Sequence, residues 1–253
     1  MAAQKDRPFT ARKVAKNTWL ITGVGCDFYL LTGNKKAALI DTGMSRNNLA
    51  EFVAGLTDFP VMVLNTHGHF DHTGGNGWFS DAWMSEYAAG EAKRAFGDAL
   101  EYPLDYTIHT LREGDRVDLG GRELEVLAIG AHSPGSLAYL DAANGLLFTG
   151  DELESGQVLC MGGNEAIRRH LANMEKLFAR KDEISFILPA HNGSPILPEY
   201  IDLFIDFDRR ILAGEEGSRE VTSPTWGGFG RIDSAWRRLQ SPAGTGIVYK
   251  LEK

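Results

Sequence analysis

The sequence predicts an α/β fold built from two sheet-and-helix halves that face each other, and three observations lead there. Short apolar strands alternate with amphipathic helical stretches along most of the chain. Two strands run into an aspartate beside glycine, AALIDTG (37–43) and GLLFTGDE (145–152). Two others run into a histidine, VMVLNTHGH (61–69) and ISFILPAHNG (184–193), so each half holds one strand of each kind. That echo gathers polar residues at strand ends, where layered α/β proteins build their sites.

The elements follow in order. Thr18–Ile21, Phe28–Leu31 and Ala37–Ile40 are apolar and aromatic runs broken by Gly23 and Gly25, and they read as strands. Ser45 is a candidate cap for a helix through Leu56, because Leu49, Phe52, Val53 and Leu56 fall at helical spacing. Val61–Leu64 is a buried strand, and residues 86–100 are rich in Ala, Glu and Lys and read as a helix. Strands are expected over 116–119, 123–129, 137–140 and 146–149, the last two joined by a two-residue turn at Asn144-Gly145. Helices 165–178 and 198–212 flank a strand at 184–188, and the chain ends in a strand at 246–249. One domain is expected over 1–253, with residues 213–253 a Gly- and Trp-rich tail.

Composition narrows the function classes. The chain has 253 residues, enough to bury a core without disulfide support, and is 43% apolar and 24% charged. A net charge of −8, from 34 acidic and 26 basic residues, disfavours nucleic acid and anionic membranes as partners. No apolar run is long enough to span a bilayer, and the first residues lack the apolar stretch of a secretory signal. With only Cys26 and Cys160 and no CxxC spacing, a cytoplasmic location is expected. Self-association is left open.

The chemistry is concentrated in THGHFDHTGG (66–75). Imidazole is the commonest metal ligand near neutral pH, and carboxylates complete such sites. In an extended loop His67 and His69 point to one side and can grip one ion, while Asp71 and His72, past a turn, can face a second. Gly68, Gly74 and Gly75 would permit unusual backbone torsions there. Four ionisable side chains at the end of an apolar strand are costly unless something satisfies them. His109 and His170 stand apart and read as ordinary packed or surface histidines.

THGHFDHTGG resembles the signature of the metallo-β-lactamase superfamily, and four more blocks follow the family order: ALIDTG with Asp41, GAHSPGS with His132, LFTGD with Asp151 and LPAHNG with His191. The resemblance implies a four-layer αββα sandwich. It implies that His67, His69 and His132 bind one metal, that Asp71, His72 and His191 bind another, and that Asp151 bridges them. Asp41 would orient a ligand imidazole from behind. Two divalent ions are implied, with zinc expected and iron or manganese as alternatives. Metal would make water acidic enough to give hydroxide near neutral pH, and Asp71 would orient it and take its proton.

The branch indicated by Asp151 together with His72 is similar to glyoxalase II and general hydrolases, which act on thioesters, lactones and related small molecules. Two alternatives stand beside it: a persulfide dioxygenase with one iron on His67, His132 and Asp151, and a phosphodiesterase. Candidate pocket liners are Tyr29, Trp78, Cys160, Met161 and Trp226, with core packing an equal alternative for each. The stretch TSPTWGGFGRIDSAW (222–236) is a candidate lid.

Overall fold

The computed structural model describes residues 8–93, 103–218 and 236–250. The first half forms a seven-stranded sheet, in spatial order β1 (Thr10–Ala15), β2 (Thr18–Thr22), β3 (Asp27–Thr32), β4 (Ala37–Ile40), β5 (Val61–Leu64), β6 (Asp81–Met84) and β7 (Thr107–Thr110). Strands β1 to β4 are antiparallel neighbours, and β4 to β7 are parallel. On this sheet lie α1 (Leu49–Ala54), the single turn α2 (Phe70–Thr73) and α3 (Glu86–Ala89).

The second half repeats the idea. Its sheet takes β8 (Arg116–Asp118), β9 (Glu123–Ala128), β10 (Leu137–Asp141), β11 (Leu146–Gly150) and β13 (Phe186–Pro189), with β11 and β13 parallel. Helices α4 (Gly163–Phe178) and α5 (Glu199–Leu212) cover it. A small third sheet joins β12 (Gln157–Cys160), β15 (Gly246–Lys250) and β14 (Trp236–Gln240) in that order. The echo in the sequence is therefore real at the level of pairing. The two Asp-ending strands, β4 and β11, each lie parallel to the His-ending strand of their own half, β5 and β13.

Alternation along the strands creates the layers. On β3, Tyr29 and Leu31 enter the core between the two large sheets, meeting Val126, Tyr139 and Phe148 from the second. Phe28 and Leu30 point the other way, onto Leu49 and Val53 of α1. A third core packs α4 and α5 on the outer face of the second sheet, with Ile167, Met174, Phe204 and Ile247 in it. Helix, sheet, sheet, helix is the αββα order.

Three local expectations are corrected. The first helix is capped by Asn48, whose side chain accepts from Glu51 N, rather than by Ser45, so it begins at Leu49. The β10–β11 connection is a hairpin, but its loop spans Ala142–Gly145, with a 3₁₀ turn and Gly145 at φ 67°. Asn144 bonds back to both oxygens of Asp141 there, which favours the longer turn. Of the helix expected over 86–100, α3 covers 86–89, and residues 94–102 lie outside the described ones.

The two large sheets are pinned at both ends. At the end remote from the loop clusters, Arg122 reaches Asp141 Oδ2 at 2.7 Å, Asn17 O at 2.7 Å and Thr18 Oγ1 at 2.8 Å. Arg122 and Asp141 are both buried. Removing one partner strands the other charge, so Arg122→Met is expected to lower stability by about 3–5 kcal/mol. Urea unfolding checks this, and an unchanged midpoint would contradict it.

Candidate metal centre

Every candidate ligand lies beyond the C-terminal end of a strand, His67, His69, Asp71 and His72 after β5, His132 after β9, Asp151 after β11 and His191 after β13, and Asp41 behind them follows β4. Cross-sheet hydrogen bonds lock this edge. Leu137 N donates to Thr66 O at 2.7 Å, Tyr139 Oη to Asn65 O at 2.8 Å, and Asp27 N to Ala190 O at 2.8 Å.

The donor atoms converge in two groups. His69 Nδ1 lies 2.9 Å from His67 Nε2 and 3.1 Å from His132 Nε2. Asp71 Oδ2 lies 3.8 Å from His72 Nε2 and 3.6 Å from His191 Nε2. Asp151 stands between the groups. Its Oδ1 is 3.1 Å from His72 Nε2 and 3.3 Å from His191 Nε2, and its Oδ2 is 3.5 Å from His132 Nε2. Ligands about 2.0–2.1 Å from a tetrahedral zinc sit roughly 3.3 Å from one another. These separations bracket that value.

Hydrogen bonds behind the rings settle which nitrogen faces inward. His132 Nδ1 donates to Leu159 O at 2.9 Å, and His72 Nδ1 to Asp41 Oδ2 at 2.9 Å. Thr66 Oγ1 donates to Asp41 Oδ2 at 2.8 Å and so accepts from His67 Nδ1 at 3.1 Å. The inward Nε2 atoms of His67 and His132 therefore carry lone pairs, as does Nε2 of His72 once that ring is neutral. Asp71 Oδ1, His72 Nε2 and Asp151 Oδ1 are buried with no hydrogen bond. Buried polar atoms left this way are costly, and a cation would satisfy them.

Charge points the same way. Burial holds His67 well below its ordinary pKa and His69 at about 4, so both rings are neutral and free to ligate. Burial alone would also lower His191, but Asp151 beside it raises it to about 9. Burial would raise Asp151, yet His191 and His72 take it well below the carboxylate range. Burial opposes charge on His72 too, but Cys26, Asp151 and Asp41 beside it raise it well above its ordinary pKa. Protons on His72 and His191 thus balance the anionic Asp151, and a divalent ion would replace them.

Asp41 holds this arrangement from beneath. It adopts φ 61°, a left-handed conformation rare outside glycine, and accepts from Thr66 N as well as from Thr66 Oγ1 and His72. The motif glycines serve space rather than torsion. Gly74 and Gly75 have ordinary φ values of −60° and −88°. A Cβ on Gly68 would come within 2.6 Å of Ala88 O, and one on Gly75 within 2.6 Å of Thr42 O.

Several contributors give no motif signal. Asn65 and Asn76 bond each other, and Asn65 Nδ2 donates to His72 O, fixing the turn that carries His72. Glu154 is buried with Asn192 Nδ2 at 2.9 Å, and burial and Asp151 push its carboxyl up to about 8. Glu152 is buried against the loop of His132.

Among the expected pocket liners, two are corrected. Tyr29 lies in the core between the sheets with its hydroxyl on Pro189 O, and Cys160 lies in the core beneath α4 and α5, because both sit on strand faces that point inward. Trp78 packs against the outer core of the first sheet. Met161, just past β12, is exposed. Trp226 and the lid stretch up to Ala235 lie outside the described residues, while β14 and β15 of the tail belong to the third sheet.

His109 and His170 stand outside the ligand groups. His109 pairs with Asp81 at 2.7 Å and stacks on Trp83. His170 is fully buried, with Nδ1 2.8 Å from Asp208 Oδ2 and Nε2 2.8 Å from Glu152 O. Burial opposes its charging, but Asp208 outweighs this and raises its pKa to about 9. Because that exceeds the unfolded value of about 6.5, the stabilisation is complete below pH ~6.5 and is lost as pH rises through about 9. Denaturation between pH 6 and 10 should show a steeper loss in the native chain than in His170→Gln, which keeps only the contributions of His72 and His191. Parallel profiles would contradict it.

The model of the metallo-β-lactamase superfamily matches residues 21–191, a span that contains all seven candidate ligands. The chain belongs to that superfamily. It is 24% identical over 203 residues to the acyl-coenzyme A thioesterase MBLAC2 of Gallus gallus, covering 67% of this chain and 73% of the relative. It is 41% identical over 95 residues to a hydroxyacylglutathione hydrolase of Rhodospirillum rubrum, covering 37% of this chain and 34% of that one. A metallo-β-lactamase from Pontibacter korlensis superposes with a TM-score of 0.64 at 18% identity, over 80% of this chain and 99% of its own. This last likeness bears on the fold. Among the described residues no helix is long and apolar enough to cross a membrane.

Proposed function

We propose that this member of the superfamily is a dinuclear metal-dependent hydrolase of small-molecule thioesters. The observation that carries the reading is Asp151, whose Oδ1 faces His72 and His191 while Oδ2 faces His132. A carboxylate set between two donor groups suits two ions better than one, which favours hydrolysis over single-iron oxygenation. Zinc fits the donor set, with His67, His69 and His132 on one side and Asp71, His72 and His191 on the other. When bound, such ions supply an acidified water and polarise the scissile carbonyl.

The protein's own residues do the rest. Asp71 Oδ1, buried and without a hydrogen bond, orients the attacking water and takes its proton as the oxygen adds to the carbonyl carbon. The thiolate then leaves as the carbonyl re-forms. Asp41, through His72 Nδ1, keeps the imidazole lone pair aimed at the centre. The thioester class is supported by the relative described as an acyl-coenzyme A thioesterase and the one described as a hydroxyacylglutathione hydrolase. The net charge of −8 argues against nucleic-acid backbones as substrates.

The zinc-loaded chain should be assayed on acyl thioesters, lactones, β-lactams and phosphodiesters. Thioester turnover should exceed the others in kcat/KM. Preference for a phosphodiester, or oxygen consumption on a persulfide by an iron-loaded form, would overturn the assignment.

A further inference from the structure

The geometry points to Glu152 as a positioning residue that ties the loops of His132 and Asp151 into one unit, with the His170–Asp208 pair as its clamp. The inference rests on the metal reading above.

Glu152 is fully buried and is absent from the donor groups, so it needs another employment. Both of its oxygens lie 3.0 Å from Ala131 N. Oε2 also accepts from His132 N at 2.9 Å, and Oε1 from Ser133 N at 3.2 Å. Three consecutive amides thus converge on one carboxylate, a concave anion cradle formed by the loop that presents a ligand. The carboxylate belongs to the residue next to Asp151. His132 and Asp151 come from loops well separated in the sequence, yet one side chain sets their spacing.

The backbone of Glu152 is held as firmly. Its N–H donates to Thr149 O at 3.2 Å, and Thr149 Oγ1 donates to Leu153 O at 2.8 Å, closing the turn after β11. Its carbonyl accepts from His170 Nε2 on α4, whose Nδ1 is bonded in turn to Asp208 on α5. The line runs from α5 through α4 to the turn, and from the turn to the His132 loop. Ligand constellations must be held within about 0.5 Å, which loops do not achieve alone. Here the outer helices supply the rigidity.

Zinc binding to the full chain, measured by competition with a chromophoric chelator, tests the assignment. Glu152→Gln keeps the shape but presents an amide N–H where an oxygen accepted. It should weaken the same ion that His132→Ala weakens, by roughly 10–100-fold, and leave the other nearly unchanged. Glu152→Asp should recover part of the loss. Asp208→Asn, which leaves the Glu152 carboxylate in place and loosens only the clamp on the turn that bears Asp151, should cost less, with the ion of His132 still the more affected of the two, and it carries the test if Glu152→Gln does not fold. Native affinity in both variants would overturn the inference. So would an equal loss of both ions with lowered Tm, which is what a merely structural role gives. A native chain that binds no zinc would strike the metal reading itself and this inference with it.

Discussion

Asp151→Ala is expected to abolish thioester hydrolysis and to lower the metal content of the purified chain, the largest effect expected of any single substitution. The carboxylate lies between the two donor groups, 3.1 Å from His72, 3.3 Å from His191 and 3.5 Å from His132. Its removal withdraws an anion from both groups at once and leaves His72 Nε2 and His191 Nε2 facing each other. Changes one shell further out cost about 10–100-fold in metal affinity or activity, so loss of the shared group should exceed that. His109→Ala is the control, because its ring is engaged by Asp81 and Trp83 away from the centre. It should keep native metal content and turnover. Full activity with two ions in Asp151→Ala would exclude the bridging role.

Asp41 is the second position where a large effect is expected, and two substitutions separate its roles. Asn is tolerated in the left-handed region that Asp41 occupies at φ 61°. Asp41→Asn therefore keeps the backbone but trades one acceptor oxygen for a donor, so either Thr66 N or His72 Nδ1 loses its partner. Metal affinity should fall by roughly 10–100-fold, with the fold retained. Asp41→Ala adds about 1–2 kcal/mol of backbone strain, and each buried donor left unpaired costs about 1–3 kcal/mol more. It should be visibly destabilised in urea. Equal stability of the two variants would mean that Asp41 does not hold Thr66 and His72 as described.

Much of this centre is legible in the sequence because its candidate ligands sit in short blocks at the ends of strands. His67 and His191 follow short continuous apolar runs, VMVL and FILP, and the glycines near Asp41 and Asp151 mark the strand ends. The support is not legible, because its residues act through space rather than in a motif. Asn65, Asn76 and Glu152 are common polar residues whose burial depends on tertiary packing. His170 and Asp208 lie 38 positions apart and meet only because α4 packs on α5. The strands β6, β7, β12 and β14 escape the sequence pattern for a related reason. They are four or five residues long, and Gln157 on β12 and His109 on β7 interrupt the apolar signal. Tyr29 and Cys160 pass for pocket liners because sequence gives the alternation of a strand but not which face looks toward the site.

The two donor groups around Asp151 are expected to hold two ions, and hydrolysis is expected to need both. The direct measurement is metal quantification on the native chain, followed by stepwise reconstitution of chelator-stripped protein with zinc while thioester turnover is followed. Two divalent ions per chain, with activity lost on stripping and restored fully only as the second equivalent is added, is the predicted result. One iron per chain, or turnover that survives complete removal of metal, would contradict it.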